Sequence, residues 1–159
     1  MALKPLRIED RYGYRLNYHM NEAASAGGVV VASTIGSGSA MDQSQDVVTY
    51  AANPSGKVPV GMLLGDVVDK DLTQTTLQRL SSEYIKNGKV PVNAAGQYTT
   101  NMIYPGLTIA KDQSAYLGPS GLLQNTVVNE VNNPWVGTFE SSKDADGYAK
   151  VTINLPAKR

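Results

Sequence analysis

Residues 89–155, KVPVNAAGQYTTNMIYPGLTIAKDQSAYLGPSGLLQNTVVNEVNNPWVGTFESSKDADGYAKVTINL, decide the fold. Short runs rich in Val, Thr, Ile and Tyr recur about every ten residues, the spacing of a β-sandwich or small barrel. Turn-forming clusters separate them: Ala94-Ala95-Gly96, Pro105-Gly106, Gly118-Pro119-Ser120-Gly121, Asn132-Asn133-Pro134 and Asp144-Ala145-Asp146-Gly147. Branched and aromatic side chains suit a pleated, half-buried surface, whereas Gly, Pro, Asn and Asp supply the backbone angles of turns. The expected strands are 89–92, 97–104, 107–110, 114–117, 122–131, 135–140 and 148–155.

The pattern continues toward the N-terminus. Residues 57–69, KVPVGMLLGDVVD, form the most apolar block, and Pro59, Gly61 and Gly65 should divide it into short strands joined by kinks or bulges. Asn53-Pro54-Ser55-Gly56 is a strong turn signal, and residues 46–50 a further strand. Residues 33–45 are small and polar, as in a surface loop. Gly27-Gly28 opens a short buried strand, Val29-Val30-Val31-Ala32. One helix is expected, over residues 71–86, where Leu72, Leu77, Leu80, Tyr84 and Ile85 have partial helical spacing. Asp71 or Thr73 would cap it and Asn87-Gly88 stop it; an irregular loop carrying the same apolar residues is the rival. The sum is a mostly β, single-domain sandwich or small barrel of roughly seven to ten strands with at most one short helix.

Residues 1–26 read differently. Lys4, Arg7, Arg11 and Arg15 alternate with Leu6, Ile8, Tyr12, Tyr14, Leu16 and Tyr18, while Pro5 and Gly13 oppose a helix. From Leu16 to Gly56 there is then no Lys or Arg. The charge boundary predicts an extended N-terminal arm over 1–26 and a β-rich domain over 27–159. Such an arm orders against a partner, with tyrosines as anchors and arginines pairing with carboxylates. Its candidate partner-binding residues are Leu6, Arg7, Ile8, Arg11, Tyr12, Tyr14, Arg15 and Tyr18. An ordinary edge strand of the β domain alternates in the same way.

Composition narrows the function. With 14 basic and 14 acidic residues and 18% charged overall, the chain is neither a basic nucleic-acid coat nor a charge-extended disordered segment. Apolar runs of a few residues, such as Val29-Val30-Val31, are too short to span a bilayer as helices, and Lys4, Pro5, Arg7, Glu9 and Asp10 interrupt any secretory h-region. The sequence holds no Cys, so disulfides, thiolate metal sites and Cys nucleophiles are excluded.

The remaining polar groups read more simply as structure than as chemistry. His19, the single histidine, has no Gly-x-Ser-x-Gly elbow to complete a triad and reads as a packed or surface side chain. Asp66, Asp69 and Asp71 lack the ladder and closing Glu of a calcium loop, so strand exit and helix capping explain them. Asp144-Ala145-Asp146-Gly147 reads as a hairpin turn, and Gly36-Ser37-Gly38 lacks the Lys-Ser/Thr of a phosphate loop. No catalytic residue, metal or cofactor is expected. Nine tyrosines against one Phe and one Trp offer apolar faces with polar tips, suited to interfaces and equally to cores.

Four phrases together carry a resemblance. They are Met20-Asn21-Glu22 leading to Gly27-Gly28-Val29-Val30-Val31; Val58-Pro59-Val60-Gly61-Met62-Leu63-Leu64-Gly65-Asp66-Val67-Val68 with Asp71-Leu72-Thr73; Tyr116-Leu117-Gly118-Pro119-Ser120-Gly121; and Val136-Gly137-Thr138-Phe139 through Asp146-Gly147-Tyr148-Ala149-Lys150-Val151 to Ile153-Asn154-Leu155-Pro156. The chain resembles, from about Asn17 onward, the capsid decoration (cement) proteins of tailed bacteriophages, particularly those of cyanobacteria. The resemblance implies a small β-rich, non-enzymatic virion protein, made in the host cytoplasm, that docks on the outer surface of the icosahedral head. It implies the major capsid protein as partner, together with further copies of the chain itself, a trimer ahead of a dimer, and neither nucleic acid nor membrane. The alternatives are a phage tail or fibre component, a surface β-sandwich carbohydrate-binding module, and a small β-barrel hydrolase. With no metal expected, EDTA should leave the melting temperature unchanged; a substantial fall would reveal a bound divalent ion.

Overall fold

The computed structural model describes residues 3, 9–10, 15–33, 47–69, 83–127 and 133–155. Among these it forms thirteen strands: β1 (Glu9–Asp10), β2 (Arg15–Met20), β3 (Val29–Ser33), β4 (Val47–Thr49), β5 (Pro59–Leu63), β6 (Asp66–Val68), β7 (Glu83–Ile85), β8 (Lys89–Asn93), β9 (Ala95–Thr100), β10 (Ser114–Leu117), β11 (Leu123–Gln124), β12 (Trp135–Phe139) and β13 (Ala149–Asn154). Five close into a barrel in the order β2-β4-β3-β5-β8, and six form a second sheet, β1-β9-β13-β12-β10-β11. Every barrel pairing is antiparallel except β2 with β4. The protein is mostly β, and among the described residues no helix is long and apolar enough to cross a membrane.

The run Val29-Val30-Val31 explains how barrel and sheet are joined. Successive strand residues point to opposite faces, and all three valines are fully buried. Val30 enters the barrel core with Met20, Val48, Leu63, Val67, Val90 and Val92. Val29 and Val31, with Met62 of β5, enter a second core against Tyr98, Ala115, Leu117, Leu123, Val136, Phe139, Val151 and Ile153 of the six-stranded sheet. β3 is therefore buried on both faces, which is why it reads as a continuous apolar run. β13, with one buried face, alternates instead: Ala149, Val151 and Ile153 are buried, while Lys150 and Thr152 are half-buried.

Bulges and close approaches shape both sheets. Val29, Val30 and Val31 pair with Met62, Gly61 and Pro59, leaving Val60 as the extra residue of a bulge. A Cβ on Gly61 would lie 2.5 Å from the Asn93 carbonyl oxygen, so only glycine lets β5 lie this close to β8. In the second sheet, Ala115 pairs with Gly137 and Tyr116 with Trp135, so Val136 is extra.

Several expectations change. The strand count exceeds ten because β1 and β2 form where an arm is expected and β7 where a helix is expected. Of the expected helix, residues 71–82 lie outside the described residues, and Glu83–Ile85 is a strand, paired in parallel with Asp66–Val68. Pairing with β6 and packing of Tyr84 against the barrel core override the helical spacing. Residues 107–110 are irregular rather than a strand, and Ala94 alone separates β8 from β9, where a three-residue turn was expected. The loop at 36–38 is outside the described residues.

The segment expected as an arm is, in its described parts, built into both sheets. Leu3 is buried and bridges Thr100, β1 pairs with β9, and β2 runs between β4 and β8 in the barrel. Alternating strands and an alternating arm share one sequence pattern; the described residues 3, 9–10 and 15–20 pair with strands of the two sheets.

Because β3 and β5 line both cores, the two cores should melt together. Met20→Ala in the barrel core should cost about 2–5 kcal/mol and Phe139→Ala in the second about 3–5 kcal/mol. Urea unfolding followed by circular dichroism and by Trp135 fluorescence should show one shared transition for each variant; two separable transitions would show independent units.

Candidate interaction surface and the polar junction between the sheets

Of the sequence-derived partner-binding residues, the structure places Arg15 and Tyr18 on β2, opposite Asn93 and Val90. Leu6, Arg7, Ile8, Arg11, Tyr12 and Tyr14 lie outside the described residues. Tyr18 is half-buried against the barrel core, so its ring serves the barrel. Leu3, which is not among the candidates, is buried, as are Met20 and Ala26 of the same segment.

The other tyrosines divide by role. Tyr98 is fully buried, Tyr84 packs on the barrel core, and Tyr116 and Tyr148 are half-buried. Tyr104, 42% exposed, stands at the turn Tyr104-Pro105-Gly106, where Gly106 takes φ 78°. The turn is tied down by the Tyr104 N–H donating to the Leu123 carbonyl at 2.8 Å. Tyr-Pro-Gly signals the turn in the sequence; that the turn displays the tyrosine depends on Ile103 being drawn into the core beside it. Among the described residues the other large exposed apolar side chain is Val58, at 63%.

The densest polar arrangement joins the two cores. Glu22 Oε1 accepts hydrogen bonds from Thr49 Oγ1 and the Tyr50 N–H, both at 2.5 Å. Asp66 Oδ1 accepts from the Ala26 N–H at 2.7 Å. Thr100 Oγ1 donates to the Gly27 carbonyl at 2.8 Å and accepts from the Met102 N–H at 3.0 Å. The Tyr50 hydroxyl donates to the Ser25 carbonyl at 2.6 Å and accepts from the Gly28 N–H at 3.1 Å. Together these side chains hold the connection from β2 to β3, whose backbone could not otherwise satisfy its polar groups so close to the core.

Glycine makes room for the Tyr50 ring. A Cβ at Gly28 would lie 2.8 Å from its Cζ, and one at Gly121 2.4 Å from its Cδ1. Gly121, at φ 75°, ends the 3-10 turn Pro119–Gly121, whose Ser120 N–H donates to the Ala51 carbonyl at 2.7 Å. Tyr50 thus stitches the barrel to the β10–β11 connection. Burial pushes its phenol well above the ordinary tyrosine pKa; the Gly28 N–H opposes this, and the Asp66 and Glu22 charges add to it.

The acidic clusters resolve into local structure. Asp66 holds the Ala26 amide, Asp69 forms a surface pair with Lys86 at 3.1 Å, and Asp71 is outside the described residues. Asp144 Oδ1 accepts from the Asp146 and Tyr148 N–H groups, closing the β12–β13 connection as a turn. Among the described residues no three His, Cys, Asp or Glu side chains gather as a metal site would require. His19 is half-buried on β2, and its Nδ1 is buried without a hydrogen-bond partner. No protein-family model matches the sequence, and no curated protein matches it.

Tyr50→Phe removes the hydroxyl and leaves the Ser25 carbonyl and Gly28 N–H unpaired, a loss of about 1–3 kcal/mol. The phenol titrates higher in the folded state than in the unfolded chain, so above pH about 10 the unfolded state releases this proton first. The stability it contributes is present below that pH and is lost as pH rises toward the folded-state value. Denaturant midpoints measured across this alkaline range should fall more steeply for the parent than for Tyr50→Phe; equal slopes would refute the assignment.

Proposed function

We propose that this chain is a decoration protein of a tailed-bacteriophage capsid, a non-enzymatic clamp on the outer surface of the head that bridges neighbouring major capsid subunits. The observation that carries the reading is where the four resembling phrases fall. Gly28 and Val29–Val31, Met62, Leu117 with Gly121, and Phe139 with Val151 and Ile153 come from separate phrases. All but Val30 meet in the core joining barrel and sheet or in the Tyr50 seat beside it. The resemblance thus includes residues of the framework of the fold, where a shared architecture would reside.

The physical demands of a clamp support the reading. A body with two side-chain cores and backbone turns pinned by Glu22, Asp66 and Thr100 loses little freedom on docking. Weak single contacts become strong when one closed oligomer engages several capsid subunits at once, and a trimer matches the local three-folds of an icosahedral shell. Leu6, Arg7, Ile8, Arg11, Tyr12, Tyr14 and Arg15 remain the proposed capsid contacts, with Tyr104 as an additional displayed anchor.

Deletion of the N-terminal segment would remove Leu3 from the core and β1 from the sheet, so side-chain replacement is the better test. Purified protein mixed with expanded heads lacking it should occupy repeated outer sites in a cryo-EM reconstruction. The folded triple variant Arg7→Ala, Arg11→Ala, Tyr12→Ala should bind those heads at least about tenfold more weakly, a loss of roughly 1.4 kcal/mol. Density at a single vertex would assign the chain to the tail, and no binding to heads would overturn the proposal.

A further inference from the structure

The turn joining β7 to β8 carries Asn87-Gly88, the one asparagine in the sequence followed by glycine. Asn87 is exposed and takes φ 65°, a left-handed conformation that asparagine tolerates better than most residues. Gly88 has no side chain to shield its backbone nitrogen. These are the requirements for intramolecular imide formation. The Gly88 nitrogen, as it loses its proton, attacks Asn87 Cγ; the Cγ–Nδ2 bond breaks and ammonia leaves. Water then opens the five-membered imide at either carbonyl, giving aspartate or isoaspartate. The ammonia takes up the proton that the new carboxylic acid releases, so the net change is carboxamide plus water to carboxylate plus ammonium, with no oxidant or reductant.

The folded geometry first restrains this reaction and then couples it to the barrel. The Gly88 N–H donates to the Ile85 carbonyl at 2.9 Å, so the attacking nitrogen must release that bond before it can reach Cγ. The same dipeptide latches β2: the Asn87 N–H donates to the Met20 carbonyl at 2.8 Å, and the Met20 N–H to the Gly88 carbonyl at 3.4 Å. Met20 in turn is fully buried in the barrel core. Aspartate at position 87 preserves the backbone length and both latches. Isoaspartate inserts a methylene into the main chain between the two groups that grip Met20, so both bonds cannot persist. We propose that Asn87-Gly88 is a self-modification site, gated by opening of the β7–β8 turn, whose isoaspartate product unlatches the β2–β8 seam of the barrel.

The test ages the full-length protein at mildly alkaline pH, folded and in urea, and follows the Asn87 peptide by mass spectrometry. Chromatography then separates its aspartate and isoaspartate forms. Modification should be at least about tenfold slower in the folded sample, as a step gated by local opening requires. After refolding, the isoaspartate fraction should melt below the aspartate fraction, while Asn87→Asp should melt with the parent. Asn87→Gly, which suits the left-handed position, should fold, form no product and keep its melting temperature on ageing. Equal rates with and without urea would remove the gate. An isoaspartate fraction that melts with the parent would remove the latch, and an unreacted Asn87 in urea would refute the site itself.

Discussion

The whole architecture depends on β3 being buried on both faces. Three consecutive valines, each worth roughly 1.5–3 kcal/mol when removed from water, are divided between two cores: Val30 inside the barrel, Val29 and Val31 against the six-stranded sheet. A strand with one wet face would leave barrel and sheet as separate bodies. Here neither core can be completed without the other. The polar junction follows from the same constraint. The chain entering β3 passes between two apolar interiors, and its amides and carbonyls there are met by Asp66, Tyr50 and Thr100 instead of water.

Much of this was legible in the sequence because it is written in short-range signals. The alternation of residues 149–154, the kinks at Pro59 and Gly61, and the turns at Asn53–Gly56 and Asp144–Gly147 require only neighbours to be read. The β-rich class follows from them. The short strand β7 was hidden because Leu77, Leu80 and Tyr84 also fit a helical spacing, and only pairing with Val67 decides the matter for Tyr84. The seat of Tyr50 was hidden for a different reason. Gly28 and Gly121 are far apart in the sequence, and nothing near either announces that an aromatic ring will be wedged between them.

The tyrosines show how composition alone misleads about surfaces. A chain with nine Tyr and one Phe suggests a binding face, yet among the described residues most of these rings finish or seal a core. Tyr98 fills the sheet interior, Tyr18 and Tyr84 line the barrel, and Tyr50 bonds its hydroxyl to the backbone. Tyrosine here does the work of phenylalanine wherever a buried ring can still reach a polar partner. The candidate site was legible only as a pattern of charge and aromatic alternation. Whether alternating side chains face a partner or a neighbouring strand depends on pairing with residues seventy or more positions away, such as β2 with β8.

That long-range pairing has a consequence for how the chain is made. Arg15 closes on Asn93, Glu9 on Gln97 and Leu3 on Thr100, so these residues leave the ribosome well before their partners and wait for them. Loop closure over this separation carries an entropy cost of about 4 kcal/mol before any contact offsets it, and chains dominated by such pairings fold in milliseconds to seconds. Until β1 arrives, the outer edge of β9 stands open, a row of unpaired amides and carbonyls able to capture another nascent copy. The N-terminal segment therefore also acts as the closing cover of its own sheet, and crowded synthesis is when the chain is most exposed to mispairing.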